Sequence, residues 1–432
     1  MNRPDPGADA MPAPRPLWTA QFAVLLLCGL ANFTAIGAVS PLVPRYVKDE
    51  LGASDFMVGL LVAIYAVSAV LVRPGAAGLS NRRGRRVLVV SGAAISGVSL
   101  ILYAVAPNFI ALVPARLLTG VGQALYFTGA ATMVAELAPE NRRGEAVSYF
   151  SVAVYLGTGF GPLLGELLRD AASVATGFVA AGVVGLSAAA IGTRTTETLT
   201  PAQRVVGRSR FEFNRAALAP GMVLALGMVA NVVFASFMPL YADELGMSGV
   251  GLVYAVYAVT IIGVRVLGAR LPDVLGPGLA GTLATVIIAI GMALIAVVRS
   301  EVTLYIGAVV FAIGISFHYP SLMALVVNRA SAEERSGAVA SFTAFFDVAS
   351  GIGGLLVGAV VTFGGYRSAF ATAALCAVAG LFLLRTVVLR QPGPTAPSPG
   401  SAPIPASGTD ERVRGPRLLT IAHVVDRRKR GT

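Results

Sequence analysis

Apolar runs of about 20 residues recur along this chain from Leu17 to Leu389, and each is long enough to cross the hydrocarbon of a bilayer. A segment in lipid must satisfy its own backbone amides, so such runs become helices, and the alternating pattern of a membrane barrel is absent. Composition agrees, because 13% of the 432 residues are charged where a soluble domain carries roughly a quarter. The predicted fold class is an all-α membrane protein of twelve transmembrane helices. The spans are 17–39, 56–77, 87–106, 109–134, 145–168, 171–192, 217–241, 249–271, 278–298, 301–327, 337–361 and 368–389. Only a tight turn at Pro107-Asn108 separates the third from the fourth. The first run exceeds the core of a signal peptide and follows a proline-rich leader, so it reads as an uncleaved spanning helix.

The net charge of +11 does not point to nucleic acid, because the arginines sit in short loops and tails between apolar runs. Cytoplasmic loops retain Arg and Lys. With the N-terminus inside, the interior loops hold fourteen arginines, from Arg82 to Arg335, while the outer loops hold five cations: Arg45, Lys48, Arg169, Arg299 and Arg367. The expectation is a multi-pass protein of a bacterial-type plasma membrane with both termini cytoplasmic. The domain plan is an N-terminal tail (1–16), a six-helix bundle (17–192), a central loop (193–216), a second six-helix bundle (217–389) and a disordered basic tail (390–432). Cys28 and Cys376 each lie inside an apolar run and read as packing residues.

The two bundles repeat each other at an offset of 192 residues. Gly59 matches Gly251, Ala63 matches Ala255, Tyr65-Ala66-Val67 matches Tyr257-Ala258-Val259, and Arg73 matches Arg265. Further on, Ala77, Leu79 and Gly84 match Ala269, Leu271 and Gly276, and Asn81 faces Asp273. Two parallel, alike halves are the architecture expected when a solute site lies between bundles that rock about it.

Between the second and third spans stands Arg73-Pro74-Gly75-Ala76-Ala77-Gly78-Leu79-Ser80-Asn81-Arg82-Arg83-Gly84-Arg85-Arg86. It resembles the cytoplasmic loop motif of the major facilitator superfamily, G-x-L-A-D-R-x-G-R-R, with Ala77 in place of the first glycine and Asn81 in place of the aspartate. The resemblance implies a gating loop that includes Arg73, Gly78, Asn81, Arg82, Gly84, Arg85 and Arg86, with Arg265 and Asp273 in the second half. An aspartate there ion-pairs across the halves, and Asn81 removes that charge; plain positive-inside anchoring is the alternative for the arginines. Helix four carries Arg116-Leu117-Leu118-Thr119-Gly120-Val121-Gly122, similar to the superfamily's R-x-x-x-G-x-G. A guanidinium in hydrocarbon must face a polar cavity or a partner. Helix five carries Gly157-Thr158-Gly159-Phe160-Gly161-Pro162-Leu163-Leu164-Gly165-Glu166, which resembles the G-x-x-x-G-P-x-x-G-G motif of exporting antiporters. Its small residues and proline suit a pivot between halves, and Glu166, replacing the last glycine, is expected to snorkel to water.

Ionisable residues at membrane depth are functional candidates. Asp347 lies ten residues beyond the start of span eleven at Gly337, roughly 15 Å deep at about 1.5 Å per residue. It is the candidate proton or substrate residue, the alternative being a buried carboxyl bonded to neighbours such as Ser350. Asn32, Gln123, Asn231, His318 and Tyr319 complete the expected path, because the resemblance implies that helices one, four, seven and ten line the central cavity. Each alone is also compatible with packing.

The expected function is a secondary transporter of a small organic solute by alternating access, with protons as coupling ion, working in efflux. A symporter or facilitator importing a nutrient is the second reading. A multi-spanning transferase is the alternative of another class; no paired carboxylates or metal-spaced His/Asp cluster supports it, and no phosphate loop supports a nucleotide-driven pump. Neither a metal nor a cofactor is implied, and a monomer embedded in lipid is expected to suffice.

Overall fold

The computed structural model describes residues 16–139, 142–200, 214–247, 249–268, 271–330 and 335–390. The helices are α1 (Ala20–Arg45), α2 (Asp55–Arg83), α3 (Arg85–Tyr103), α4 (Phe109–Leu137), α5 (Arg143–Ala171), α6 (Val174–Gly192), α7 (Leu218–Glu244), α8 (Gly251–Leu267), α9 (Pro277–Val297) and α10 (Glu301–Arg329). A last run, Arg335–Leu383, is broken at Gly365, whose φ of 72° is in the left-handed region that a Cβ disfavours. It therefore forms two helices, α11 (335–364) and α12 (366–383). Most are long and apolar enough to cross a membrane; α8 is shorter and is followed by a helical turn, Leu271–Leu275.

Helix starts are set by short polar side chains that satisfy orphan backbone N–H groups. Thr19 accepts from Phe22 N, Asn108 from Ala111 N, Ser173 from Thr176 N and Ser300 from Thr303 N. The Asn108 cap explains how α3 and α4 separate within a tight turn. The repeat is written into these boundaries. Arg85 and Pro277, Phe109 and Glu301, and Arg143 and Arg335 begin paired helices 192 residues apart, while Leu137 and Arg329 end one such pair. The architecture is two pseudo-symmetric six-helix bundles.

Two expectations about helix ends need correction. The first helix does not stop at residue 39; it runs through Pro41 and Pro44 to Arg45 and on as a π-helical turn over Tyr46–Glu50. The second helix does not stop at residue 77, because α2 carries the motif as helix to Arg83 and only Gly84 divides it from α3. Pro74 is tolerated where local adjustments and neighbouring helices absorb the missing N–H. Arg73 therefore projects from the body of a helix, ten residues before its end at Arg83.

The halves meet where α1 packs on α7, α2 on α11 and α5 on α8. Glycine lets α2 and α11 touch backbone to backbone: a Cβ on Gly59 would stand 2.1 Å from the Gly354 carbonyl oxygen. The end of the bundle carrying the α1–α2 and α7–α8 connections is called the far end below, and the end carrying the α2–α3 connection the near end. The tail after residue 390 and most of the central loop lie outside the described residues.

Candidate functional site

Arg73, 18 residues into α2, donates from an Nη to Asp347 Oδ1 of α11 at 3.0 Å, an ion pair that joins the two halves. Both lie roughly 15–18 Å from the near ends of their helices at about 1.5 Å rise per residue. The guanidinium also sits over the Phe127 ring of α4, 5.7 Å from its centroid. Tyr65 and Tyr319 lie within electrostatic reach of the pair. Ser350 is not the partner of Asp347, because its hydroxyl donates to the Phe346 carbonyl. Asp347 Oδ2 and Arg73 Nε have no hydrogen-bond partner although buried, so the carboxylate keeps an unused acceptor.

The repeat offset carries Arg73 to Arg265 and Tyr155 to Asp347. The structure pairs them accordingly: Arg265 of α8 lies over the Tyr155 ring of α5, 4.0 Å from its centroid, at the second cross-half interface. One interface thus holds its arginine with a carboxylate and the other with an aromatic face. A cation–π contact is worth about 2 kcal/mol when desolvated, whereas an arginine at membrane midplane costs about 2.5–3.5 kcal/mol even on the mildest insertion scale. Arg265 is therefore the less compensated of the two. Its Nε is buried without a partner, and an Nη reaches the Ser316 carbonyl only at 3.5 Å.

Arg116, on α4, stays within the first half. It donates to the Leu61 carbonyl and the Tyr103 hydroxyl, both at 3.2 Å, and lies over the rings of Tyr65 and Tyr103. Tyr103 in turn shares a hydrogen bond with Thr119 at 2.5 Å, which also bonds Ser99. This chain satisfies much of the guanidinium without a carboxylate. Asn32 donates from Nδ2 to Gln123 Oε1 at 3.3 Å, linking α1 to α4, while Asn32 Oδ1 and Gln123 Nε2 stay unpartnered.

His318 sits inside the second half, between α9 and α7. Its ring is fully buried, with Nδ1 3.3 Å from the Thr285 hydroxyl of α9 and Nε2 packed against Gly227 of α7. Tyr319, its neighbour, points elsewhere and packs on Phe342 with centroids 5.4 Å apart. Asn231 on α7 is half-buried and makes no polar contact among the described residues.

At the near end, the resemblance-derived loop motif works inside the first half. Arg85 is buried and pairs with Glu136 at 3.1 Å; Arg86 donates to the Thr193 carbonyl. The Glu197 carboxylate accepts from the backbone N–H groups of Arg85, Arg86 and Leu199, where the helix dipole of α3 favours an anion. Gly84 permits this with φ 108° and no Cβ, since a Cβ would meet Glu197 at 2.1 Å. Arg82 and Arg83 are exposed, and Gly78 has open space around it. Asn81 makes no cross-half hydrogen bond among the described residues, and the side chain of Asp273 lies outside them.

The far end corrects the expectation for Glu166. Its carboxylate does not snorkel to water but is buried, 2% exposed, and ion-paired to the buried Arg45 of α1. Arg45 also forks onto Asp243 of α7, donating from Nε to Oδ2 at 2.7 Å and from Nη to Oδ1 at 2.6 Å. The reason is the extra length of α1: it carries Arg45 inward between α5 and α7 where the sequence reading placed an outer loop. Ser40 Oγ donates to the Ala235 carbonyl at 3.1 Å, and the Tyr366 hydroxyl to Asp55 at 3.1 Å, so further polar bonds tie the halves here. The helix-five glycines divide their task. Gly157, Gly161 and Gly165 seat α1, in the same half, and Gly159 meets Ala258 of α8, in the other; Pro162 lies within continuous helix.

Two alike bundles joined by charged and aromatic contacts at mid-depth define a multi-pass membrane carrier. Comparison places it: the profile of the Major Facilitator Superfamily matches residues 25–332 and, in a second match, 282–425, and the chain belongs to that family. An uncharacterized MFS-type transporter of Salmonella typhimurium is 27% identical over 374 residues, covering 83% of this chain and 94% of its own length. Among solved structures, a peptide transporter POT in complex with sulfate superposes with a TM-score of 0.73 at 14% identity, covering 88% of this chain and 97% of that one. The human organic anion transporter MFSD10 gives 0.65 at 18% identity, over 84% and 98%. These two likenesses speak to the fold.

Proposed function

We propose that the protein is a proton-coupled exporter in which Asp347 exchanges a proton for its hold on Arg73. The observation that carries this reading is the Arg73–Asp347 pair, the one ion pair between halves at mid-depth among the described residues. Neutralising the carboxylate releases the arginine and with it one of the bonds that holds α2 to α11, so protonation and the angle between halves become linked. Among the described residues, the other polar bonds between halves cluster at the far end, at Ser40, Arg45 and Asp55. With the termini in the cytoplasm, as the arginine bias has it, that arrangement is closed outside and ready to load a solute from within. The likeness of the helix-five segment to the exporting antiporter motif favours efflux.

The test is solute flux in inverted vesicles with an imposed pH gradient, comparing wild type with Asp347→Asn. Gradient-driven uptake that disappears in the variant supports the reading. Uptake that survives the substitution removes Asp347 from coupling, and uptake indifferent to collapse of the gradient makes the protein a facilitator.

A further inference from the structure

Three arginines and one aspartate stand out in the spanning region: Arg73, Arg116, Arg265 and Asp347, with Arg265 in the last turn of α8 but level with Tyr155 in the middle of α5. Arg73 is matched by Asp347; Arg116 and Arg265 have no carboxylate partner among the described residues. Arg116 is largely served by neutral acceptors inside its own half. Arg265 is not: it lies at the interface of the halves, half-buried, with a buried unpartnered Nε and only an aromatic face and one long carbonyl contact to offset its charge. The repeat makes the omission specific. At the equivalent place the other half meets a carboxylate, and here the structure offers Tyr155.

We infer that Arg265 is the anchor for a carboxylate- or similarly anion-bearing solute, which supplies at this interface the negative charge that Asp347 supplies at the other. This rests on the transport reading above and names its substrate class. A guanidinium cannot shed its proton, so its charge at depth is answered only by an anion or by dipoles. Its planar fork binds a carboxylate through two N–H donors, and the spare Nε is one of them. A Tyr155 ring packed on the guanidinium face uses none of the N–H donors at its edge; one Nη reaches only the Ser316 carbonyl at 3.5 Å, and the buried Nε becomes reachable as the halves part. The two interfaces then carry equal charge only when the solute is bound. That condition suits a carrier, because the loaded protein crosses between states without an unpaired cation at its seam.

The test is thermal unfolding in detergent of wild type, Arg265→Gln, Arg265→Lys and Tyr155→Phe. Each is measured against a panel of small aliphatic and aromatic carboxylic acids, alkylamines and uncharged sugars. Carboxylates are expected to stabilise wild type, with the best of them binding about tenfold or more weakly to Arg265→Gln, partly restored in Arg265→Lys and retained in Tyr155→Phe. Comparable ligand-free melting of the variants shows that folding is not the cause. Stabilisation by amines or sugars alone, by no acid in the panel, or by acids equally in Arg265→Gln overturns the inference. Proteoliposome flux separates the two readings: acid binding without flux of any panel member leaves the anion site standing and defeats the transporter reading, while flux of amines alone does the reverse.

Discussion

Arg73 and Asp347 stand 3.0 Å apart although 274 residues separate them in the chain, and their contact is one of the few polar links that cross from one half to the other. A charge placed on one bundle and its partner on the other makes the pair sensitive to the relative position of the bundles. The single variants Arg73→Asp and Asp347→Arg are expected to abolish gradient-driven transport, each leaving two like charges facing one another. The double exchange is expected to restore assembly and part of the flux, read by vesicle transport. A double exchange no better than either single variant would show that the contact is not a pairwise link.

The far-end cluster makes a graded prediction about stability. Removing one partner of a buried ion pair costs about 3–5 kcal/mol, because the other charge is left buried. Glu166 and Arg45 have side chains only 3% and 4% exposed, so Glu166→Gln is expected to lower the thermal unfolding temperature markedly. Asp243 is 41% exposed, and Asp243→Asn is expected to cost about 1 kcal/mol or less. Equal losses, measured by unfolding in detergent, would mean that burial does not govern this cluster.

Gly59 tests whether the proposed closure of the far end depends on backbone contact. A Cβ there would stand 2.1 Å from the Gly354 carbonyl oxygen, and backbone cannot turn aside as a side chain can. Gly59→Ala is therefore expected to part α2 from α11 and favour opening at that end. Thiol labelling of a cysteine at Ser40, with Cys28 and Cys376 replaced by serine, should rise severalfold in this variant. Unchanged labelling would mean that the α2–α11 contact is not part of the closure.

At the near end, Glu197→Ala is expected to cost about 1 kcal/mol through the lost N-terminal cap of α3. Gly84→Ala should cost about 1–3 kcal/mol, since it adds a strained φ of 108° to a clash with Glu197. Thermal unfolding checks the order. Transport by the Glu197 variant should persist, because this carboxylate bonds only within the first half.

The helices themselves were legible because hydrocarbon imposes a local rule: each run must be long, apolar and self-satisfied. The predicted start of α4 at 109 and of α10 at 301 coincides with the structure, where Asn108 and Ser300 cap the first turns. The end of α1 was not legible, because polar and proline residues at Pro41, Pro44 and Arg45 look like a loop until a partner shows otherwise. Arg45 joins the residues that tie the halves together on that account, and its outer-loop reading concealed it. A hint was present in Glu166, a carboxylate in place of a small residue near the end of the span, which needed a cation.

Sequence alone determined that this chain is a twice-repeated, all-helical membrane protein, since length, hydropathy and the 192-residue offset are properties of segments read one at a time. It also named Asp347, because a charge at depth is conspicuous wherever it points, and Arg73 through the loop motif that the resemblance supplied. Only the tertiary structure decided that these two belong together, that Arg265 faces Tyr155 rather than a carboxylate, and that Glu166 is locked to Arg45. Pairing depends on which helix faces which across the seam, and no periodicity within a single helix carries that information.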